Sequence, residues 1–183
     1  NMDIKAIYSD LPQLETDRLI LRKLKKEDVS DIYEYGSNDQ VSQYTTWPTH
    51  QTLADSQAFV DFVLDRYQNQ MLAPWGIEHK ETGKLIGTID FVSWQPNHQT
   101  AEIGYALSQA YWGKGLMTEA TKEVIRFGFQ QMDLVRIQAK CLTKNIGSRR
   151  VMEKAGMTYE GTHQKVLKIK GQHWDVHVCA IVK

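Results

Sequence analysis

The residues best placed to do chemistry lie in the stretch YWGKGLMTEA, Tyr111 to Ala120. Two glycines bracket a lysine just ahead of a strongly helical segment, although glycine is the poorest helix former after proline. A strand, a tight glycine loop and a helix N-terminus together form a cradle for an oxyanion or a phosphate. The loop amides converge on one spot, and the helix dipole adds positive potential there. Gly113 and Gly115 would let a pyrophosphate approach the backbone, Lys114 adds a mobile cation and Thr118 a hydroxyl donor. The spacing is not GxxxxGK[ST], because Lys114 sits between the glycines, and not GxGxxG, because Thr118 stands where the third glycine belongs. A plain glycine-eased strand-to-helix turn also fits these residues.

Such a loop needs a strand before it and a helix after it. AEIGYAL (101–107) reads as the strand, and Met117 to Gln131 as the best helix in the chain. Leu116, Ala120, Val124 and Phe127 line one side of that helix; Glu119, Lys122, Glu123 and Arg126 line the other. WGIEH (75–79) and LIGTIDFV (85–92) read as strands joined by the turn KETGK, and VRIQAKC (135–141) as the strand after the helix. NIGSRRVMEKAG (145–156) is a short helix stopped by Gly156. Two final strands fit 157–169 and 173–182, with Gly171 in their turn. Nearer the start, 17–24 predicts an opening strand and 27–37 a helix, and Thr52 caps a helix whose apolar stripe runs from Leu53 to Tyr67. There is no repeat, low-complexity tract or linker, so one α+β domain is expected over 1–183, with its core in 14–183.

Bulk properties narrow the function classes. Lys plus Arg equals Asp plus Glu, 22 each, and a net charge of zero argues against duplex nucleic acid as a partner. No apolar run approaches the roughly 18 residues of a membrane-spanning helix, and nothing resembles a secretory leader, so a cytoplasmic protein is expected. Asn1 reads as a tag remnant ahead of Met2. Cys141 and Cys179 have no CxxC partner, and His98, His163, His173 and His177 lack ligand spacing, so no metal is expected.

AEIGYALSQAYWGKGLMTEA followed by NIGSRRVMEKAGM resembles the GNAT superfamily of N-acetyltransferases. The opening ETDRLILRKLKKEDV and the turn ETGKLIGTIDF are similar to its RimJ/RimL branch, the ribosomal-protein N-terminal acetyltransferase-like group. The resemblance implies a mixed, mostly antiparallel V-shaped sheet of about seven strands with about four flanking helices. It also implies acetyl-CoA as co-substrate, held where strands four (101–107) and five (135–141) splay apart. The pantetheine arm would pair with backbone around Tyr105, Ala106 and Leu107. The loop Trp112, Gly113, Lys114, Gly115, Leu116, Met117 and Thr118 would hold the pyrophosphate, with Asn145 beside it and Arg150 on the 3′-phosphate. Two features depart from the pattern. Met117 ends the loop where Gly or Ala is usual, and Met152 stands where many relatives carry a general-acid tyrosine; a thioether cannot donate a proton.

Acetyl transfer to an amine needs a neutral nucleophile and a protonated leaving thiolate. A lysine-like amine costs about 4.6 kcal/mol to deprotonate at pH 7 and an α-amine about 1, so an α-amine manages with a modest base. Glu102 is the candidate base, sharing a strand face with Gly104 and Ala106; a salt bridge is its structural alternative. Ser148 is the candidate acid, on one helical face with Asn145 and Met152; helix capping is the alternative. Cys141 is expected to be a spectator. Tyr44, Trp47, Trp75 and Tyr159 are candidates for the acceptor pocket, although aromatics there also fit a core. The expected acceptor is a protein N-terminal α-amine attacked directly in a ternary complex. A small amine (a polyamine or an antibiotic) and a non-catalytic CoA-binding module remain open, as does a homodimer paired along strand seven.

Overall fold

The computed structural model describes residues 2–183; Asn1, the expected tag remnant, lies outside the described residues. A short helix α1 (Ile4–Tyr8) precedes two small strands, β1 (Leu14–Glu15) and β2 (Leu19–Arg22). Helices α2 (Val29–Gly36), α3 (Asp39–Ser42) and α4 (Leu53–Gln68) follow, then strands β3 (Trp75–His79), β4 (Leu85–Gln95) and β5 (Thr100–Leu107). Next come helix α5 (Leu116–Gln131), strand β6 (Arg136–Leu142) and helix α6 (Ile146–Lys154), and the chain ends in the hairpin β7 (Thr158–Ile169) and β8 (Gln172–Val182).

All eight strands form one sheet, ordered β1-β2-β3-β4-β5-β6-β8-β7. Every neighbouring pair is antiparallel except β5 and β6, whose parallel pairing follows from the crossover through α5. There is one strand more than expected because the two-residue β1 hooks back onto β2 through the turn at Thr16–Arg18. The extra helices, α1 and α3, are of five and four residues, too short to show a hydrophobic period.

The sheet buries both faces over part of its width. On one face Leu116, Ala120, Val124 and Phe127 of α5 and Met152 of α6 join Trp75, Ile89, Phe91, Ile103 and Ile137 in the main core. On the other, α2 and α4 cover β2 to β4 with Ile32, Tyr35, Val60 and Val63 against Leu24 and Leu85. Asp55 accepts the Gln51 amide at 2.8 Å and holds the start of α4.

β5 and β6 pair only from Thr100–Arg136 to Ile103–Ala139. Beyond that point β5 stays with β4 as far as Leu107, and β6 stays with β8 as far as Leu142. The sheet therefore opens as a V with its apex at Ile103 and Ala139. Gly87 lets β4 and β5 close up on the near bank, since a Cβ there would lie 2.2 Å from the Ala106 carbonyl oxygen. The strand expected to offer an exposed pairing edge, 173–182, is β8 and lies inside the sheet between β6 and β7. The outer edge, β7, is bulged between His163 and Leu167 and carries Lys165 and Lys168, features that discourage edge-to-edge pairing.

Candidate active site

The glycine loop leads straight from β5 into α5. Gly113 (φ +75°) and Gly115 (φ +76°) are both left-handed, a conformation that costs other residues about 1–2 kcal/mol. A Cβ on Gly113 would meet nothing within 4 Å, so the backbone conformation and the space outside the loop dictate glycine, not crowding from within. The helix ladder begins with the Glu119 amide donating to Gly115 at 3.0 Å. Among the described residues no acceptor takes the amides of Gly113, Lys114, Gly115, Leu116, Met117 or Thr118. Four orphan donors are the rule at a helix start; here the loop adds two more.

The loop is strapped down at both ends. The Trp112 indole donates to the Leu107 carbonyl at 2.8 Å, closing the loop onto the tip of β5. Glu119 accepts from Arg18 Nε at 2.8 Å, the Arg18 amide at 2.9 Å and Thr16 Oγ1 at 2.5 Å. The Arg18 guanidinium also donates to the Lys114 carbonyl at 2.9 Å. Burial pushes the Glu119 carboxyl up, but these hydrogen bonds and the Arg18 charge outweigh it and hold the group below the usual carboxylate range. In sequence Glu119 read as part of a solvated helix face, because its partners lie about a hundred residues away. Lys114 is exposed, its Nζ 5.5 Å from the centre of the Tyr111 ring.

Past the apex of the V, Tyr105 turns to the α5 face and reaches α6. Its hydroxyl lies 2.9 Å from Ser148 Oγ and donates to the Ser148 carbonyl at 3.1 Å. Burial pushes the Tyr105 hydroxyl far above its ordinary range, so it keeps its proton. Asn145 Oδ1 caps α6 by accepting the Ser148 amide at 3.2 Å. The capping foreseen as an alternative for Ser148 is thus supplied by Asn145, and the Ser148 hydroxyl is left to Tyr105. Met152 is buried in the core, where it presents no donor. Arg149 is engaged by Glu153 at 2.6 Å and lies over the Tyr159 ring. Arg150 is exposed, and no described residue bonds its guanidinium.

On the opposite face of the fork, Glu102 accepts from Gln138 Nε2 at 2.8 Å and lies 3.4 Å from Lys140 Nζ. It sits on the paired side of the apex, opposite Gln138. One strand away is a carboxylate that sequence reasoning missed. Asp90 pairs across β4–β5 with Gly104, the first residue beyond the apex, and its Oδ1 lies 3.8 Å from where a Gly104 Cβ would be. Burial raises the Asp90 carboxyl to about 7, with the Arg66 charge opposing. The signal in the sequence was an aspartate inside LIGTIDFV, a residue depleted in strands.

The four aromatic candidates are not brought together. Trp75 is 0% exposed, edge-on to Phe91 and Phe127, with its indole donating to the Pro12 carbonyl at 2.7 Å. It is core, because its alternation on β3 points it at α5. Tyr159 shares a face with Cys179 and lies under Arg149 of α6, on the far side of the sheet from Glu102. Tyr44 packs edge-on against Trp174 of β8, and Trp47 leans on His50 and the α2–α4 core. With Lys170 donating to the Ser42 carbonyl, the Tyr44–Trp174 contact ties the α3 segment to the β7–β8 hairpin. Along β6 to β8 the sheet carries a groove of about 330 Å³ lined by Arg136, Gln138, Lys140, Glu160 and His163.

Residues 18–158 match the family model described as the acetyltransferase (GNAT) domain. The chain belongs to the GNAT acetyltransferases. It is 35% identical over 172 residues to the uncharacterised N-acetyltransferase YoaA of Bacillus subtilis, covering 94% of this chain and 97% of that one. The crystal structure of a GNAT-family acetyltransferase from Bacillus anthracis is 31% identical, with a TM-score of 0.83 over 93% of this chain and 98% of that one. A RimL ribosomal-protein alpha-N-acetyltransferase in complex with coenzyme A shares the fold at 20% identity, TM-score 0.82, over 93% and 98% of the two chains. The GNAT protein described here is an N-acetyltransferase that uses acetyl-CoA. No helix among the described residues is long and apolar enough to cross a membrane.

Proposed function

We propose that this GNAT enzyme acetylates a protein N-terminal α-amine in the cytoplasm, by direct attack within a ternary complex. The observation that carries the reading is the fork, which presents different chemistry on its two faces at consecutive residues. The α5 face offers six free amides and the Tyr105–Ser148 hydroxyl pair. On the other face Gly104 is covered by the Val92 side chain, which is itself 50% exposed. Cofactor and acceptor can therefore approach one point from two sides, as a ternary complex requires.

On the cofactor side, the amides from Gly113 to Thr118 receive the pyrophosphate and Arg150 the 3′-phosphate. Backbone of Tyr105 remains for the pantetheine arm; the Ala106 carbonyl points at β4 beside Gly87, and the Leu107 carbonyl is taken by Trp112. The Tyr105–Ser148 pair protonates the leaving thiolate, supplying the donor that Met152 lacks. This revises the role given to Ser148 alone.

On the acceptor side, Glu102 is tied to Gln138 and Lys140, which suits it to anchoring the acceptor backbone. The groove mixes Arg136, Lys140 and His163 with Glu160, a lining poorly matched to a polycation but suited to a peptide. The likeness to a RimL alpha-N-acetyltransferase supports the same acceptor class. The test compares a peptide bearing a free α-amine with its N-blocked counterpart bearing one lysine, at pH 7 with acetyl-CoA. Turnover of the first in preference to the second is expected; preference for the lysine peptide overturns the reading.

A further inference from the structure

We propose that Asp90, and not Glu102, is the general base that takes the proton from the acceptor amine, at the apex of the V on the face opposite the hydroxyl pair. The inference rests on the acetyl-transfer reading above and deepens it by naming the proton acceptor.

Three geometric observations carry it. First, Asp90 is in register with Gly104, and Gly104 is where β5 leaves β6. Glycine at 104 lets the Val92 side chain close over the strand, its Cγ1 2.8 Å from the Cβ position, and leaves Asp90 Oδ1 3.8 Å from that position on the same face. Second, no described residue donates a hydrogen bond to the Asp90 carboxyl, whereas Glu102 has Gln138 and Lys140. A partly buried carboxylate without a donor costs stability and persists where it has a task. Third, strand alternation puts Tyr105 on one face and Gly104 on the other, so base and acid lie on opposite sides of the gap.

The charged and titratable groups around Asp90 come from every side. Arg66 and Tyr67 of α4 and Tyr8 of α1 act on it through space, and Glu102 and Lys140 share its sheet face. Burial dominates this balance and places Asp90 near neutrality, where a base is most effective against an amine of pKa about 7.8.

The acceptor ammonium gives one proton to Asp90, and the neutral amine attacks the thioester carbonyl carbon, forming the C–N bond. As the C–S bond breaks, the thiolate takes a proton from the Tyr105–Ser148 pair, which is refilled from water. The nitrogen loses its second proton to solvent and Asp90 returns its own, so one proton is released per acetyl transferred.

The experiment measures kcat/KM against pH, from 5.5 to 9, for wild type, Asp90→Asn and Glu102→Gln, using the free-α-amine peptide. Acetyl-CoA affinity and Tm are measured for all three proteins. Asp90→Asn is expected to lose about 100-fold in kcat/KM together with the ascending limb near pH 7, while acetyl-CoA Kd stays within twofold. Glu102→Gln is expected to keep the limb. The stability readout separates catalysis from structure. A carboxyl raised in the fold is penalised when ionised, so at pH 8 Asp90→Asn melts at the same or a higher temperature than wild type. A lower Tm with the limb intact, or full activity in Asp90→Asn, overturns the assignment. Failure of the wild type to bind acetyl-CoA would instead fall on the parent reading, and binding without turnover of the α-amine peptide would fall on the acceptor class.

Discussion

The Tyr105 hydroxyl lies 2.9 Å from Ser148 Oγ, joining the near bank of the V to helix α6 across the gap where the two strands part. The pair occupies the chemical place left empty by Met152. Tyr105→Phe removes the phenolic proton while keeping the ring in place. A 10- to 100-fold fall in kcat is expected, with acetyl-CoA Kd within a few-fold, and Ser148→Ala is expected to fall by less. Single-turnover kinetics at saturating acetyl-CoA check this; unchanged kcat in Tyr105→Phe would move the donor to water.

Glu119 anchors the loop to the β1–β2 turn through Thr16 and Arg18. Its folded-state pKa is depressed, so its stabilisation is present above the unfolded carboxylate pKa and is lost as pH falls through the folded value. Glu119→Gln is therefore expected to lower Tm by about 2–4 °C at pH 7, the shift that about 1 kcal/mol produces in a protein of this size. Melting curves from pH 7 down to 3 should show the gap between variant and wild type closing in the acid range.

Burial pushes the Cys141 thiol up to about 11, with the Cys179 thiol beside it acting in the same direction and Arg149 opposing. Both cysteines are buried. Cys141→Ala should retain wild-type kcat, and neither thiol should react with a maleimide within minutes at pH 7.5 in the folded protein. Rapid labelling of Cys141, or a dead Cys141→Ala that still binds acetyl-CoA, would instead point to an acyl-cysteine intermediate.

Arg150 is exposed, whereas its neighbour Arg149 is committed to Glu153 and Tyr159. Arg150→Ala should weaken CoA several-fold and leave 3′-dephospho-CoA unaffected. Equal loss for both ligands would remove Arg150 from the 3′-phosphate.

Local features carried much of this in the sequence. The two glycines were legible because a left-handed backbone next to a helix start admits little else, and β3, β5 and α5 were legible because their periods are clean. Residue partnerships across the fold were not. Trp75 and Tyr44 are chemically alike, and only the direction of β3 sends the first into the core while α3 leaves the second against Trp174. Asp90 sits opposite Gly104 because of strand register, which includes a bulge between Phe91 and Ser93 that no local pattern announces. The Tyr105–Ser148 contact likewise required α6 to be docked before it existed.

The most direct test of the cradle is calorimetric titration of acetyl-CoA into wild type, Gly113→Ala and Gly171→Ala. Both glycines are left-handed, at φ +75° and +84°, and a Cβ at either meets nothing within 4 Å. The two variants should therefore lose similar stability, about 1–2 kcal/mol each. Only Gly113 lies in the amide row. Acetyl-CoA affinity is expected to drop at least tenfold in Gly113→Ala and stay at the wild-type value in Gly171→Ala. Wild-type affinity in Gly113→Ala, at matched stability, would contradict the account.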